Sequence, residues 1–166
     1  MTLNTLSVNT NTSIGGRLTY NLPHFEIMQG TTALTTIVTN TWIKVNFTST
    51  TALEAIEFTH SGNNRMTYTG LIETMFHTGI TITISANTNN SSVFEFALYK
   101  NGGDTPGSHI KLATNGSLDP QSSAIHKMVT LNTNDYVELW CTRLSGSANL
   151  SCDLYNMFCM GMACVC

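Results

Sequence analysis

Three blocks of sequence decide the fold: RMTYTG (residues 65–70), VFEFALYKNG (residues 93–102) and LNTNDYVELW (residues 131–140). Each is a short run of β-favouring residues next to turn residues. In the second block Phe94, Phe96 and Leu98 share one face, and the Asn-Gly pair that follows predicts a hairpin turn. In the third block a polar turn precedes Val137 and Leu139, which also share a face. Alternation with a period of two predicts strands that each bury one side.

The same period continues outside those blocks. Residues 41–47 (TWIKVNF) alternate, Ile80, Ile82 and Ile84 share a face, and residues 150–165 form a long run rich in Met and Cys. No segment has the spacing of a convincing amphipathic helix. The pattern predicts about eight to ten strands in an all-β sandwich or barrel. The predicted core residues are Trp42, Phe94, Phe96, Leu98, Val137 and Leu139.

The beginning of the chain differs from this body. Residues 1–20 are rich in Thr and Asn and contain a Gly-Gly break at positions 15 and 16. They predict an extended arm, and we divide the chain into an N-terminal arm (residues 1–30) and one β-domain (residues 31–166). The first residues have neither the basic nor the apolar region of a secretory signal peptide. We therefore expect a protein that is assembled in a cytoplasm.

Charge is scarce in this chain. Charged residues make up 10% of the 166 residues, and the net charge is -3, whereas soluble proteins average about 25% charged residues. Copies of the protein therefore repel one another little. The Lys and Arg residues form no cluster, which argues against nucleic-acid binding. No apolar run reaches the roughly 18 residues of a membrane-spanning helix, so we expect neither nucleic acid nor membrane as a partner.

All five cysteines lie towards the C-terminus, at Cys141, Cys152, Cys159, Cys164 and Cys166. Our preferred interpretation is that they are buried free thiols in the final strands. Because an odd number allows at most two disulfides within one chain, a disulfide or a cross-link between chains stays open as a second interpretation. A metal site is the third, although no CxxC pair supports it.

Residues that could carry catalysis are scattered. The histidines follow neither HxH nor HxxxH spacing, and we expect each of them to be structural: His24, His60, His77, His109 and His126. No nucleophile motif or phosphate-binding loop is present. We therefore expect no enzyme, no cofactor and no metal ion. Calcium at isolated loop carboxylates is a minor alternative, with Asp104, Asp119 and Asp135 as candidates.

Over residues 38–165 the order of the blocks resembles the trimeric jelly-roll domains of the tumour-necrosis-factor-like (TNF-like) and C1q-like family. The matching pieces are a Trp-bearing strand (42–47), MTYTG (66–70), a hairpin (94–102), an L-x-x-x-D-x-V-x-L pattern (131–139) and a closing strand (156–162). The resemblance implies a jelly-roll β-sandwich that forms homotrimers. The missing signal sequence and the missing collagen-like repeat favour the viral and phage members of the family.

The resemblance also implies where the copies meet. In this family the closing strand and its neighbours line the threefold axis. Met side chains adapt their shape and suit a gap shared by three copies. The implied axis or interface candidates are Tyr68, Tyr136, Met157, Phe158, Met160 and Met162. The alternative interpretation is that these residues belong to the core of one subunit.

We interpret the chain as a virion structural protein, a homotrimer that decorates or cements a capsid or forms a head fibre or spike. The N-terminal arm is expected to contact the major capsid protein or another virion protein. One alternative is a fibre-tip module that binds a host glycan or receptor through the loops at 87–92, 102–121 and 145–149, although these loops contain no Phe, Trp or Tyr. A further alternative is a non-viral TNF-like surface protein.

Overall fold

The computed structural model of the protein describes residues 22–29, 33–47, 50–61, 64–115 and 119–162. Within these ranges the chain forms thirteen β-strands and no helix. Most of the predicted arm, together with Cys164 and Cys166, lies outside the described residues. The strands are β1 (His24–Gln29), β2 (Ala33–Thr35), β3 (Ile43–Lys44), β4 (Thr50–Ile56), β5 (Phe58–His60), β6 (Met66–Tyr68), β7 (Thr74–Ala86), β8 (Ser92–Lys100), β9 (Gly103–Asp104), β10 (Ile110–Thr114), β11 (Gln121–Leu131), β12 (Tyr136–Ser145) and β13 (Leu150–Gly161).

The strands form two sheets with antiparallel pairing between the strands. The first sheet has the order β11-β7-β13-β1-β4, and β2 also pairs with β13. The second sheet has the order β10-β8-β12-β6-β5, with β3 paired to β12 and β9 paired to β8. Neighbours in each sheet are mostly distant in the sequence, as the crossovers of a jelly roll require. The predicted fold class, an all-β jelly-roll sandwich, is confirmed.

The core lies between the two sheets. Phe94, Phe96 and Leu98 of β8 and Val137 and Leu139 of β12 are fully buried. They face apolar side chains of β1, β7 and β13, including Ile27, Ile80, Ile82 and Met157. Period-two alternation along each strand produces this arrangement, because successive side chains point to opposite faces of a sheet.

Trp42 is not a core residue, and its prediction as one is wrong. The alternation that buries Val45 and Phe47 turns Trp42 and Lys44 to the outer face of the second sheet. There the half-buried Trp42 ring packs against Tyr99, with 5.7 Å between ring centroids. The size and hydrophobicity of Trp42 suggested that it is buried, but its position in the alternation places it on the outer face of the sheet.

The predicted arm is too long at its C-terminal end. Residues 24–29 form β1, which pairs with β13 on one side and β4 on the other. Phe25 and Ile27 are buried in the core. The sandwich therefore begins before the predicted boundary at residue 31, and the alternation in HFEIMQ is the signal that marks it.

The longest strands lie at the centre of the first sheet. β7 and β13 pair from Ala86 opposite Leu150 to Phe76 opposite Gly161. β11 pairs with β7 along its whole length, from Ile84 opposite Gln121 to Thr74 opposite Leu131. These registers place the outward-facing side chains of four strands, β1, β13, β7 and β11, in rows across one surface.

Candidate functional site

The outer face of the first sheet carries a patch of exposed apolar side chains. Along β13, Tyr155, Met157 and Cys159 point into the core, so the intervening side chains point outward. Met160 and Met162 are 56% and 50% exposed, and Met75 on β7 is 51% exposed. Residues paired across neighbouring strands share a face, which adds side chains from β1 and β11. We call this patch the methionine face: Met28, Met75, Met128, Leu154, Phe158, Met160 and Met162.

The methionine face is free of Lys and Arg throughout the described residues. These cations lie on the second sheet and its loops, apart from Lys127, which shares the inward side of β11 with Ile125 and Val129. Exposed apolar patches of this kind mark interaction sites on soluble proteins. The face therefore has the composition of a surface that another protein covers.

An aromatic cluster occupies the middle of this face. The Phe158 ring lies across Gly79 of the neighbouring β7, where a Cβ atom would stand only 2.3 Å from the ring. The ring contacts His77 and His126 edge to face, at centroid distances of 5.6 and 6.4 Å. Glycine at position 79 thus allows Phe158 to lie flat over β7 and to support both imidazole rings.

A shallow groove of about 330 Å³ runs along one side of the methionine face. Its polar lining includes His24 and Glu54, whose Nε2 and Oε2 atoms are 3.2 Å apart. Glu26 also lines it and accepts a hydrogen bond of 2.7 Å from Asn156. Phe158 and Met160 supply the apolar side. The groove is therefore acidic along its β1–β4 edge and apolar along β13.

Only three of the six predicted interface residues lie on this face, namely Phe158, Met160 and Met162. Tyr68 and Met157 have almost no exposed surface, so neither can touch another copy, and both are core residues of one subunit. Tyr136 is on the opposite side of the molecule, beneath the Arg65 guanidinium at 3.9 Å from its ring centroid. The sequence prediction did not assign Met28, Met75, Met128 and Leu154. Their positions depend on strand register, which the sequence alone leaves open.

The described cysteines are buried free thiols, as the preferred interpretation expected. Cys141, Cys152 and Cys159 form no disulfide with one another. Burial raises the pKa of Cys152 and of Cys159 to about 12, and it also raises the pKa of Cys141. Thiols with such high pKa values are poor nucleophiles and poor metal ligands at neutral pH. Burial and the raised pKa values argue against a metal site at these three thiols, and the cross-link interpretation stays a prediction, since Cys164 and Cys166 lie outside the described residues.

The outer face of the second sheet is built differently. The Glu138 carboxylate is buried and accepts hydrogen bonds from Lys44 at 2.9 Å, Arg65 at 2.7 Å and Trp140 at 3.1 Å. Burial alone would raise the pKa of Glu138, but these hydrogen bonds lower it below its ordinary value. Trp140 in turn stacks on Tyr99, with 4.6 Å between ring centroids. The groups around Glu138 and Trp140 thus bond to and stack on one another within one subunit.

The three carboxylates considered for calcium each have a partner of their own. Asp104 binds His109 at 2.9 Å, Asp119 accepts from Gln121 at 3.0 Å, and Asp135 pairs with Lys100 at 2.8 Å. These carboxylates have separate partners, which argues against the calcium alternative. In the ranges that the structure describes, no group of three His, Cys, Asp or Glu side chains is arranged to hold a metal ion.

The comparisons with known proteins establish the fold. The globular domain of zebrafish complement 1qA protein is 13% identical, with a TM-score of 0.51, over 86% of this chain and 97% of its own. This chain has a C1q-like and TNF-like jelly-roll fold. Murine APRIL at pH 5.0 is 9% identical with a TM-score of 0.47, over 84% of this chain and 99% of its own. The PRD1 vertex protein P5 is 12% identical with a TM-score of 0.47, over 87% of this chain and 100% of its own.

Sequence comparison adds no closer relationship. No family model matches the chain, and no curated protein matches it. The fold assignment rests on the likeness to the complement domain and on the strand order. Among the described residues, no helix is long and apolar enough to cross a membrane.

Proposed function

We propose that this protein is a virion structural protein that assembles as a homotrimer through the methionine face. The observation that supports the trimer is the group of six exposed Met and Leu side chains around Phe158, on a sheet face without Lys or Arg in the described residues. A second copy of the chain is the partner whose surface matches this composition, because its own methionine face is equally apolar.

Burial of the apolar side chains would favour this assembly. A stable protein interface buries on the order of 1,000 Å² or more in total, and apolar burial contributes roughly 25 cal/mol per Å². Met side chains have three rotatable bonds and adapt to an uneven partner surface. With charged residues at only 10% of the chain, little electrostatic repulsion opposes the approach of a second and a third copy.

The virion role is supported by composition and by the resemblance to viral jelly rolls. In this proposal the trimer decorates or cements a capsid, or stands on it as a head fibre or spike. The contact with the capsid is assigned to the segment before residue 22, which lies outside the described residues. Truncation of that segment is expected to release the trimer from the capsid without dissociating it.

The copy number in purified particles tests the virion role. Quantitative mass spectrometry against the major capsid protein is expected to find hundreds of copies in a fixed ratio for a decoration or cement protein. A few dozen copies would instead assign the protein to a fibre or spike. Complete absence from particles would refute the virion role and leave a non-viral TNF-like surface protein as the better account.

A second candidate function is recognition of a host glycan or receptor at a fibre tip. The observation that favours it is the half-buried pair Trp42 and Trp140 on the outer face of the second sheet, close to His109 and Tyr99. Aromatic rings beside carboxylates such as Asp104 can contact sugars. A glycan array and a host-cell binding assay test this function. Trp140→Ala removes one of the two Trp rings and should weaken any binding that the wild-type protein shows. Two blank results for the wild-type protein would exclude it.

A further inference from the structure

Two histidines meet at the centre of the methionine face. His77 on β7 and His126 on β11 are diagonal neighbours, since His126 lies opposite Gly79 and His77 lies opposite Met128. The Nε2 atom of His77 and the Nδ1 atom of His126 are 3.1 Å apart. Their rings are roughly parallel, with an interplanar angle of 26° and 5.2 Å between centroids. Neither the HxH nor the HxxxH spacing joins these residues in the sequence, so only the strand register brings them together.

The surrounding residues hold this pair in place. Phe158, which lies over Gly79, packs its ring edge to face against His77 and His126. Side chains locked by packing hold a ligand geometry better than freely rotating ones. Packing against Phe158 therefore fixes the two imidazole rings relative to each other.

The chemistry of the pair suits a metal ion. A hydrogen bond between two imidazole nitrogens needs one N–H donor and one free lone pair, so at least one ring is neutral. Neutral imidazole binds Zn²⁺, Cu²⁺ and Ni²⁺ well. Two nitrogens bound to one Zn²⁺ at about 2.0–2.1 Å are roughly 2.8–3.0 Å apart at the 90° angle of an octahedron and roughly 3.3–3.4 Å apart at the tetrahedral angle. The observed separation of 3.1 Å lies between these two distances, so a small movement of either ring reaches one of them.

One subunit supplies only these two ligands. A structural site needs about four ligands, and no third His, Cys, Asp or Glu joins the pair within the described residues. A homotrimer that meets through the methionine face brings further copies of the pair to the same contact. No Lys or Arg of the described chain lies on this face to repel a cation.

We propose that His77 and His126 bind a divalent transition-metal ion where copies of the protein meet, with imidazoles of neighbouring copies completing the coordination shell. This proposal rests on the proposed trimer. Binding joins the subunits to one another, so the metal stabilises the assembled form over the separate chain. The ion has a structural role, because its coordination sites are filled by the subunits that it holds together.

Zinc titration of the 166-residue chain tests the proposal. After treatment with a chelator, the protein is titrated with ZnCl₂ in a calorimeter, and its mass is followed by analytical ultracentrifugation. We expect saturable binding with fewer ions than chains, and a higher thermal midpoint of the trimer. His77→Gln and His126→Gln should each weaken binding by more than about tenfold, in keeping with the loss of a ligand. His60→Gln is the matched control, because His60 lies on β5 of the second sheet and bonds to Thr50.

The outcomes separate the metal site from the trimer. A trimer that binds no Zn²⁺, or binds it equally well in His77→Gln, overturns the metal site and leaves the trimer standing. A monomer that binds one Zn²⁺ per chain overturns the sharing of the ion between copies. A monomer that binds none refutes both proposals. A Co²⁺ absorption spectrum that changes in His77→Gln but not in His60→Gln supports the assigned ligands directly.

Discussion

The outer faces of the two sheets differ in whether their side chains find partners within one chain. On the second sheet, the buried carboxylate of Glu138 has three donors, and Trp140 stacks on Tyr99. On the first sheet, Met160 and Met75 extend into solvent, about half exposed, without a partner for their apolar surface in one subunit. Both sheets have the same alternation, although the longest strands, β7, β11 and β13, all belong to the first sheet. The groups around Glu138 are thus paired within a single chain, whereas the apolar side chains of the first sheet are left for another molecule to cover.

The difference also explains the distribution of charge. The described Lys and Arg residues lie away from the outer face of the first sheet, most of them in ion pairs such as Lys44–Glu138 and Lys100–Asp135. A long charged side chain at the methionine face would lose hydration on assembly, and that loss is unfavourable unless the charge is paired. The described part of the chain therefore carries its Lys and Arg residues away from the methionine face, and the carboxylates of Glu26 and Glu54 line the groove at its β1–β4 edge.

The largest effect is expected from a charge placed on the methionine face. Met160→Glu introduces one carboxylate per copy into an apolar contact between copies, where burial of an unpaired charge is strongly unfavourable. We expect the variant to fold and to sediment as a monomer at micromolar concentration. Thr59→Glu is the matched control, because Thr59 is exposed on β5 of the second sheet, and it should remain a trimer. A trimeric Met160→Glu protein would contradict the assignment of this face.

The next largest effect is expected from the ion pairs around Glu138 on the second sheet. Glu138→Gln keeps the shape of the side chain but removes the charge that holds Lys44 and Arg65. Hydrogen bonds to charged groups contribute roughly 1.5–3 kcal/mol each when both partners are buried. Since Lys44 and Arg65 are partly exposed, we expect a total loss of about 2 kcal/mol in urea unfolding at fixed protein concentration. The oligomeric state should not change, and a shift to monomer would show that the second sheet takes part in the trimer contact.

A pH-dependent effect should come from the turn before β12. Burial raises the pKa of Asp135, but hydrogen bonds from Lys100, the backbone of Asn132 and Asn101 outweigh this and set the pKa at about 2, below the ordinary 3.8. Because the folded-state pKa is depressed, the stabilisation by Asp135 is complete above about pH 4 and is lost as the pH falls towards 2. Thermal melting should show a difference between wild type and Asp135→Asn at pH 6 that shrinks towards pH 2. Lys100→Gln should weaken this pH dependence, and a difference that is equal at both pH values would argue against the ion pair.

The smallest effect is expected in the core between the two faces. The Tyr155 hydroxyl is buried without a hydrogen-bond partner among the described residues, and its ring stacks on Phe47 at 4.1 Å. Tyr155→Phe should leave the free energy of unfolding unchanged or raise it by up to about 1 kcal/mol. Tyr68→Phe is the matched contrast, because the Tyr68 hydroxyl donates to the Ile72 carbonyl at 2.8 Å. It should lower the free energy of unfolding by about 1 kcal/mol, and equal effects of both substitutions would contradict this description of the core.

The sequence predicted the fold because strand periodicity is local. Phe94, Phe96 and Leu98 repeat with a period of two, and their burial follows from the neighbours in the same strand. The same alternation, applied strictly, places Met157 and Phe158 on opposite faces of the first sheet, and Trp42 and Ile43 on opposite faces of the second. The resemblance to trimeric jelly rolls selected interface candidates by strand and by residue type. It therefore placed the buried Met157 and the outward-facing Phe158 of β13 in one group.

The candidate site could be predicted only in part because it depends on register. His77 and His126 are 49 positions apart, and only the pairing of β7 with β11 brings their nitrogens within hydrogen-bonding distance. Met28 reaches the methionine face through the pairing of β1 with β13, a contact between the two ends of the domain. Long-range pairing of this kind leaves no local pattern in the sequence, whereas the alternation within β1 does show that residues 24–29 form a strand.

We propose above all that the methionine face joins three copies of the chain. Sedimentation equilibrium of the wild-type protein across the micromolar range tests it most directly, because the method measures mass independently of shape. We expect a single species with three times the mass of one chain. A species with the mass of one chain throughout that range would contradict it.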